Sequence, residues 1–306
     1  MEPVLILFSL ILVGVVVKKL GIVSDNMNRE VSSLVINVCL PAFILKSMQF
    51  DFAPEVLLSS GTLIATSFAV YALSIVLSMA FIRLIGVAKE QRNVYQYVGV
   101  FSNTGYMGYP VLYAFAGDLG VFYGAVYNLA FSVLVWSYGV SIMSKSSQRE
   151  SKGLWDSIKA ISNPALWAVL IGLSLFTLGI QLPAIVQNIL GLIGATTTPL
   201  SMMFIGFILS DLHPKDLVRH WRDFAIAGLR LMIIPALVFG ILTLVGMEGE
   251  LLAVPVLIAA MPAAANTAIL ANRYGADDQL ASRIIFITTL LSVGTVPLVL
   301  QFLPKF

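Results

Sequence analysis

Ten stretches of this sequence, at 3–20, 29–50, 58–86, 92–116, 119–144, 164–181, 184–211, 222–247, 250–274 and 278–304, are apolar over about the length a helix needs to cross a bilayer. That length is roughly 20 residues, because a helix rises 1.5 Å per residue through a hydrocarbon core of about 30 Å. Charged residues make up 11% of the chain and hydrophobic ones 58%, whereas soluble domains carry about 25% charged residues. A soluble enzyme and a disordered chain are excluded on that ground. The 18 basic residues face 16 acidic ones, which leaves no surplus for the phosphates of a nucleic acid. One cysteine, Cys39, excludes an internal disulfide and a Cys-rich metal site. No metal or cofactor is expected.

The basic residues set the expected topology. With ten spans, Lys18, Lys19, Arg29, Arg83, Lys89, Arg92, Lys145, Arg149, Lys152, Lys159, Lys215, Arg219, Arg222, Arg273 and Arg283 fall in loops on one side. Arg230 lies just inside a span on that side, and only Lys46 and Lys305 fall opposite. Such bias marks the cytoplasmic face, so both termini are expected outside. The N-terminal run is read as a first helix, not a signal peptide, since Lys18 and Lys19 follow it instead of preceding it.

The polar passage from Lys145 to Lys159 divides the chain nearly in half, and the halves resemble each other. Gly21-Ile22 precedes Pro41 as Gly179-Ile180 precedes Pro199; Asn103-Thr104 matches Asn266-Thr267; Ser132-Val133 matches Ser292-Val293. Repeats of this length redefine a fold. The expectation is an all-α membrane protein of two five-helix repeats, 1–144 and 161–306, joined by a cytoplasmic linker at 145–160. Five is odd, so the second repeat is inverted, an arrangement characteristic of secondary transporters.

Spans four and nine are interrupted. The fourth reads Phe101-Ser102-Asn103-Thr104-Gly105 through Pro110, and the ninth Met261-Pro262-Ala263-Ala264-Ala265-Asn266-Thr267. Proline removes a backbone donor and clashes with the preceding turn, and broken backbone survives in a membrane only inside protein or beside water. Asn103 is eleven residues past Arg92, about 16 Å of helix and so near the midplane. Two discontinuous helices meeting there would aim half-helix N-termini at an anion. Asn103, Thr104, Gly105, Asn266 and Thr267 are the candidate substrate-binding residues; packed asparagines joining two helices are the alternative.

These two motifs resemble the paired motifs of the auxin efflux carrier family, and the resemblance spans essentially the whole chain. It implies a transporter of small organic anions, such as malonate or malate, working by alternating access. It also implies a dimerising scaffold of spans one, two, six and seven beside a mobile unit of spans three to five and eight to ten. The short central loop resembles compact bacterial permeases, which implies a bacterial cytoplasmic membrane and argues against auxin as substrate. A sodium-coupled organic-anion symporter resembling bile-acid carriers is the alternative, and sodium or proton coupling stays open. From another class, a non-transporting sensor or an intramembrane enzyme remains, although no catalytic constellation lies within the spans.

Further polar groups need an assignment. Pro41 frees the carbonyl of Asn37, and Pro199 frees that of Ala195 beside Thr196, Thr197 and Thr198. These residues either complete the pocket or, for the threonines, bond to their own helix. Asn128 on the fifth span is a weaker candidate. Arg230, six residues inside its apolar run, either draws an anion inward or snorkels to the headgroups; snorkelling is the favoured expectation. His213 and His220, in the polar stretch Asp211–Asp223, are expected to be solvated, and the acidic residues are expected at helix ends or in loops, none at the midplane.

Overall fold

The computed structural model describes residues 2–144, 163–210 and 220–304. The expected linker at 145–160 lies outside them, as do Asp211, His213 and Lys305. The regular elements among the described residues are helices. Helix α1 (Glu2–Lys19) is followed by α2 (Asp25–Leu34), which continues through a π-helical turn, Val35–Cys39, into α3 (Leu40–Ser47). Next come α4 (Pro54–Leu84) and α5 (Arg92–Val100). After an interruption, a π turn at Thr104–Gly108 leads into α6 (Tyr109–Leu134), and another at Val135–Gly139 into α7 (Val140–Ser144). The second half holds α8 (Pro164–Thr177), α9 (Ala184–Ala195), α10 (Thr197–Ser210) and α11 (Trp221–Gly228). A π turn at Leu229–Ile233 joins α11 to α12 (Ile234–Leu244); α13 (Gly249–Ala260), α14 (Thr267–Tyr274) and α15 (Asp278–Phe302) complete the chain.

Proline explains three of these π turns. Pro41, Pro110 and Pro235 each stand second in the helix that follows one. The ring cannot donate to the ladder and crowds the carbonyl four residues back, and one widened turn relieves both faults without ending the helix. Pro41 thus widens its span instead of breaking it. At Pro199 the interruption is also short: α9 ends at Ala195 and α10 resumes at Thr197.

Six helical stretches among the described residues are long and apolar enough to cross a membrane, and Pro164–Thr177 and Gly249–Ala260 are shorter apolar helices. The longest, Thr104–Ser144, has 41 residues but is not straight. Ala116 and Gly117 leave helical geometry, Gly117 at φ 61° and ψ −146°, a region that favours glycine. There the chain doubles back: a Cβ on Gly124 would lie 2.3 Å from Leu112 Cδ1 and 3.8 Å from Tyr109 Cδ1. Twelve residues of straight helix would hold those positions about 18 Å apart.

Close backbone approach holds α1 against α10. A Cβ on Gly14 would fall 2.3 Å from Met203 O, and one on Gly206 would fall 2.2 Å from Ile11 O. Small residues at such contacts are how helices associate where burial from water supplies no drive. Helix α3 packs on α8 and α9, while α4, α5, α6, α12, α13, α14 and α15 pack among themselves. Polar ends then gather on two faces. On one, Arg222 Nε donates to Ile85 O at 3.0 Å and Arg283 Nε to Asp223 Oδ2 at 2.5 Å. On the other, Gln181 Nε2 donates to Asp51 Oδ1 and Ser59 Oγ to Glu250 Oε1, both at 2.7 Å.

Candidate functional site

The interruptions after α5 and α13 lie against each other. Pro262 forces Met261 into an extended conformation, at φ −68° and ψ 148°, and Phe101 is extended at φ −99° and ψ 122°. Asn103 N donates to Pro262 O at 2.8 Å and Ala264 N to Phe101 O at 3.0 Å, so Ser102 and Ala263 form an antiparallel bridge. Thr288 Oγ1 accepts from Ala263 N at 3.2 Å. An unpaired backbone group in hydrocarbon costs several kcal/mol; each segment supplies the partners that the other lost.

Asn103 is buried, and its Oδ1 accepts from Tyr106 N at 3.2 Å, capping the π turn. The Thr104 and Ser102 hydroxyls are 3.4 Å apart. Space is open beside Gly105, where an added Cβ would meet nothing within 4 Å. Tyr106 reaches across to the first half's opening helices and to α10: its hydroxyl is 2.5 Å from Ser32 Oγ, and its ring centroid is 4.6 Å from that of Phe204. Thr267 donates to Ala264 O at 2.5 Å. Asn266 stands at the N-cap of α14 without making a side-chain cap. Its buried Oδ1 makes no hydrogen bond, and its side chain lies against the Tyr97 hydroxyl.

Next to Asn266, Ala265 lines a cavity of about 800 Å³. The cavity runs between α2 and α10 on one side and α14 and α15 on the other, with Asn28, Arg29, Ser32, Asn272 and Asp278 on its walls. The structure therefore brings together the segments that lead into Asn103-Thr104 and Asn266-Thr267, and this cavity, a vestibule of mixed polar and apolar lining, adjoins the second at Ala265 and Ala268; none of the four candidate residues lines it.

Arg230 departs from the expectation of snorkelling. Its side chain is 2% exposed and points into the protein. Nε donates to Met261 O at 3.2 Å, Nη1 to Gly99 O and Val100 O at 3.3 Å each, and Nη2 to Ile258 O at 3.4 Å. These carbonyls close α5 and α13 at the interruptions. Snorkelling fails here because two severed helices end within reach, presenting carbonyls at Gly99, Val100 and Met261 and a shared one at Ile258, which also accepts from Met261 N.

The remaining candidates lie elsewhere. Asn37 is exposed, and its amide donates to Ser33 O at 2.9 Å. Thr196 donates to Ile193 O at 2.7 Å, within its own helix, and to Cys39 Sγ at 3.3 Å. Thr197 is buried with no partner for its hydroxyl, and Thr198 is half-buried. Asn128 lies beside the Tyr109 hydroxyl.

A family model described as membrane transport protein matches residues 1–300. The chain belongs to this family. It is the auxin efflux carrier family that the two motifs resemble, and the chain is a multi-pass membrane transporter, not an enzyme. An "Uncharacterized transporter" of Methanothermobacter thermautotrophicus is 29% identical, over 97% of this chain and 96% of its own. Another "Uncharacterized transporter", from Methanocaldococcus jannaschii, is 25% identical over 97% of each chain. A protein of Rhizobium meliloti named "Putative malonate transporter" is 23% identical over 96% of this chain and 92% of its own.

For this membrane transport protein, sequence reasoning missed one buried charge altogether. Asp223 is fully buried, taking a short hydrogen bond from the Tyr95 hydroxyl and the ion pair with Arg283. It stands at a helix end, as expected of the acidic residues, but is buried there. The available signal was an acid and an arginine at the starts of two spans on the same face, which can pair where neither can be wetted.

Proposed function

We propose that this chain is a secondary transporter of small carboxylates, such as malonate or malate, with its substrate site at the paired interruptions. The observation that carries this reading is the antiparallel bridge between two severed helices, with Asn266, whose Oδ1 makes no hydrogen bond, next in sequence to a residue of the vestibule wall. The helices that resume at Thr104 and Thr267 begin with free N–H groups and positive dipole ends, which favour a carboxylate. Arg29 adds positive charge to the vestibule wall. The name of the Rhizobium meliloti relative points to the same substrate class.

In this reading the chain makes ten spans as two inverted repeats, 1–144 and 161–306. The doubling back at Gly117, which separates a fourth span from a fifth, supports that count. Spans one, two, six and seven form a scaffold, through which two copies dimerise, and the paired interruptions belong to the moving unit. The vestibule opens on the face that gathers Arg29, Arg222 and Arg283, which the positive-inside rule assigns to the cytoplasm. In this reading the protein is in an inward-open state in a bacterial cytoplasmic membrane, with both termini outside. Counterflow of radiolabelled malonate and malate in proteoliposomes tests it. Accumulation driven by unlabelled dicarboxylate inside is expected; no exchange with any small carboxylate would sink the proposal.

A further inference from the structure

The paired interruptions have two poles. Helix N-termini lie at Thr104 and Thr267, and helix C-termini lie at Val100 and Ala260. A C-terminal end carries about half a negative charge on carbonyls that have lost their partners. In transporters with broken helices, such ends and the unwound carbonyls beside them are where a coupling cation binds. Here the guanidinium of Arg230 occupies that position. It reaches two carbonyls of α5 and two at the end of α13, and among the described residues no ion pair involves it.

We propose that Arg230 is a built-in counter-ion for the two helix ends, a tethered substitute for a bound cation, so that the protein works without sodium at this place. Three features support the assignment. Arginine stays charged in a buried site, and its planar fork offers five donors, enough to serve both helices at once. The guanidinium spans the joint between halves of the chain, 130 residues away at Val100 and 28 at Ile258. A small cavity of about 10 Å³ adjoins it, lined by polar side chains at Tyr71, Ser74, Ser102 and Tyr127 and by apolar ones such as Val70 and Ala259, so protein, not lipid, encloses the charge. Arg230 acts on the site by positioning: it fixes the carbonyl ends of the helices whose neighbouring N-termini face the substrate.

The inference rests on the transport reading for its consequence, but its first test does not. Melting temperatures are measured on purified R230A, R230K and R230M. R230M keeps much of the volume without charge and is expected to melt roughly 10 °C below wild type, with R230K clearly above it. Millimolar guanidinium is expected to raise the melting temperature of R230A and to leave that of wild type unchanged. R230M equal to wild type, R230K no better than R230M, or R230A indifferent to guanidinium would each overturn the proposal. Should R230A yield no folded protein, the lysine–methionine pair decides. The second test is wild-type dicarboxylate counterflow with choline replacing sodium throughout. Equal exchange in both salts is expected, and exchange that requires sodium overturns the proposal in favour of a coupled symporter. Absence of exchange in both salts counts against the transport reading instead, and leaves the melting test to judge Arg230.

Discussion

The two interruptions hold equivalent places in their halves, yet they are built differently. In the first, Asn103 holds its own segment: its N–H is on Pro262, its carbonyl on Met107 and Gly108, and its Oδ1 on Tyr106 N. The segment is then tied to Ser32 and Phe204 through Tyr106. In the second, Asn266 caps nothing, its Oδ1 is free, and the neighbouring residues are alanines, one of which lines the vestibule. The first interruption is capped and tied to Ser32, whereas the second has no side-chain cap and leaves one amide oxygen buried without a hydrogen bond. Matching sequence motifs thus conceal different surroundings, and the proposed function assigns Asn103 chiefly to holding the fold and Asn266 to the ligand.

The largest effect is expected where the two interruptions depend on each other. A264P removes the N–H that serves Phe101 O, leaving a buried carbonyl bare at a cost of about 1–3 kcal/mol. Uptake should vanish and thermal unfolding should move to lower temperature; wild-type uptake would show that the bridge is dispensable. The asparagines come next. N266A removes no cap and only a contact with the Tyr97 hydroxyl, so its stability should stay within about 0.5 kcal/mol of wild type while dicarboxylate exchange falls at least about tenfold, the loss of one hydrogen bond to a charged ligand. N103A removes a cap and should cost about 1 kcal/mol, read as a melting shift of roughly 2–4 °C. Unfolding and counterflow measured on both proteins check the contrast, and the reverse pattern breaks it. The smallest effect belongs to Y106F, which deletes the tie to Ser32. Its stability should change by about 1 kcal/mol or less, with faster exchange if the tie slows movement of the first interruption.

What the sequence made legible follows from where the information is held. Interrupted helices announce themselves through Pro110, Pro262 and the Asn-Thr pairs, because these side chains act on their own backbone. The partnership of the two segments was also accessible, through the repeat. Arg230 was not. Its ligands are main-chain carbonyls at Gly99, Val100, Ile258 and Met261, and a carbonyl's freedom depends on a fold in which two helices stop at one point. Asp223 was hidden for a related reason. A first-turn acid ordinarily meets water, and only the packing of α5 and α15 over it shows otherwise. Likewise the sequence could not separate Asn103 from Asn266, since the difference lies in the backbone geometry after each.

The bridge between Ser102 and Ala263 also constrains how the protein is made. Its two hydrogen bonds join residues about 160 positions apart, so when the first half leaves the ribosome its severed helix has no permanent partner. Until Ala264 and Pro262 arrive, Phe101 O and Asn103 N must borrow water, a neighbouring lipid headgroup or a helper protein, and Gly99 and Val100 must wait for Arg230. Insertion of individual helices is therefore separable from completion of the core, which cannot close before the last quarter of translation. Halves produced as separate polypeptides in one cell should be individually short-lived and should survive together.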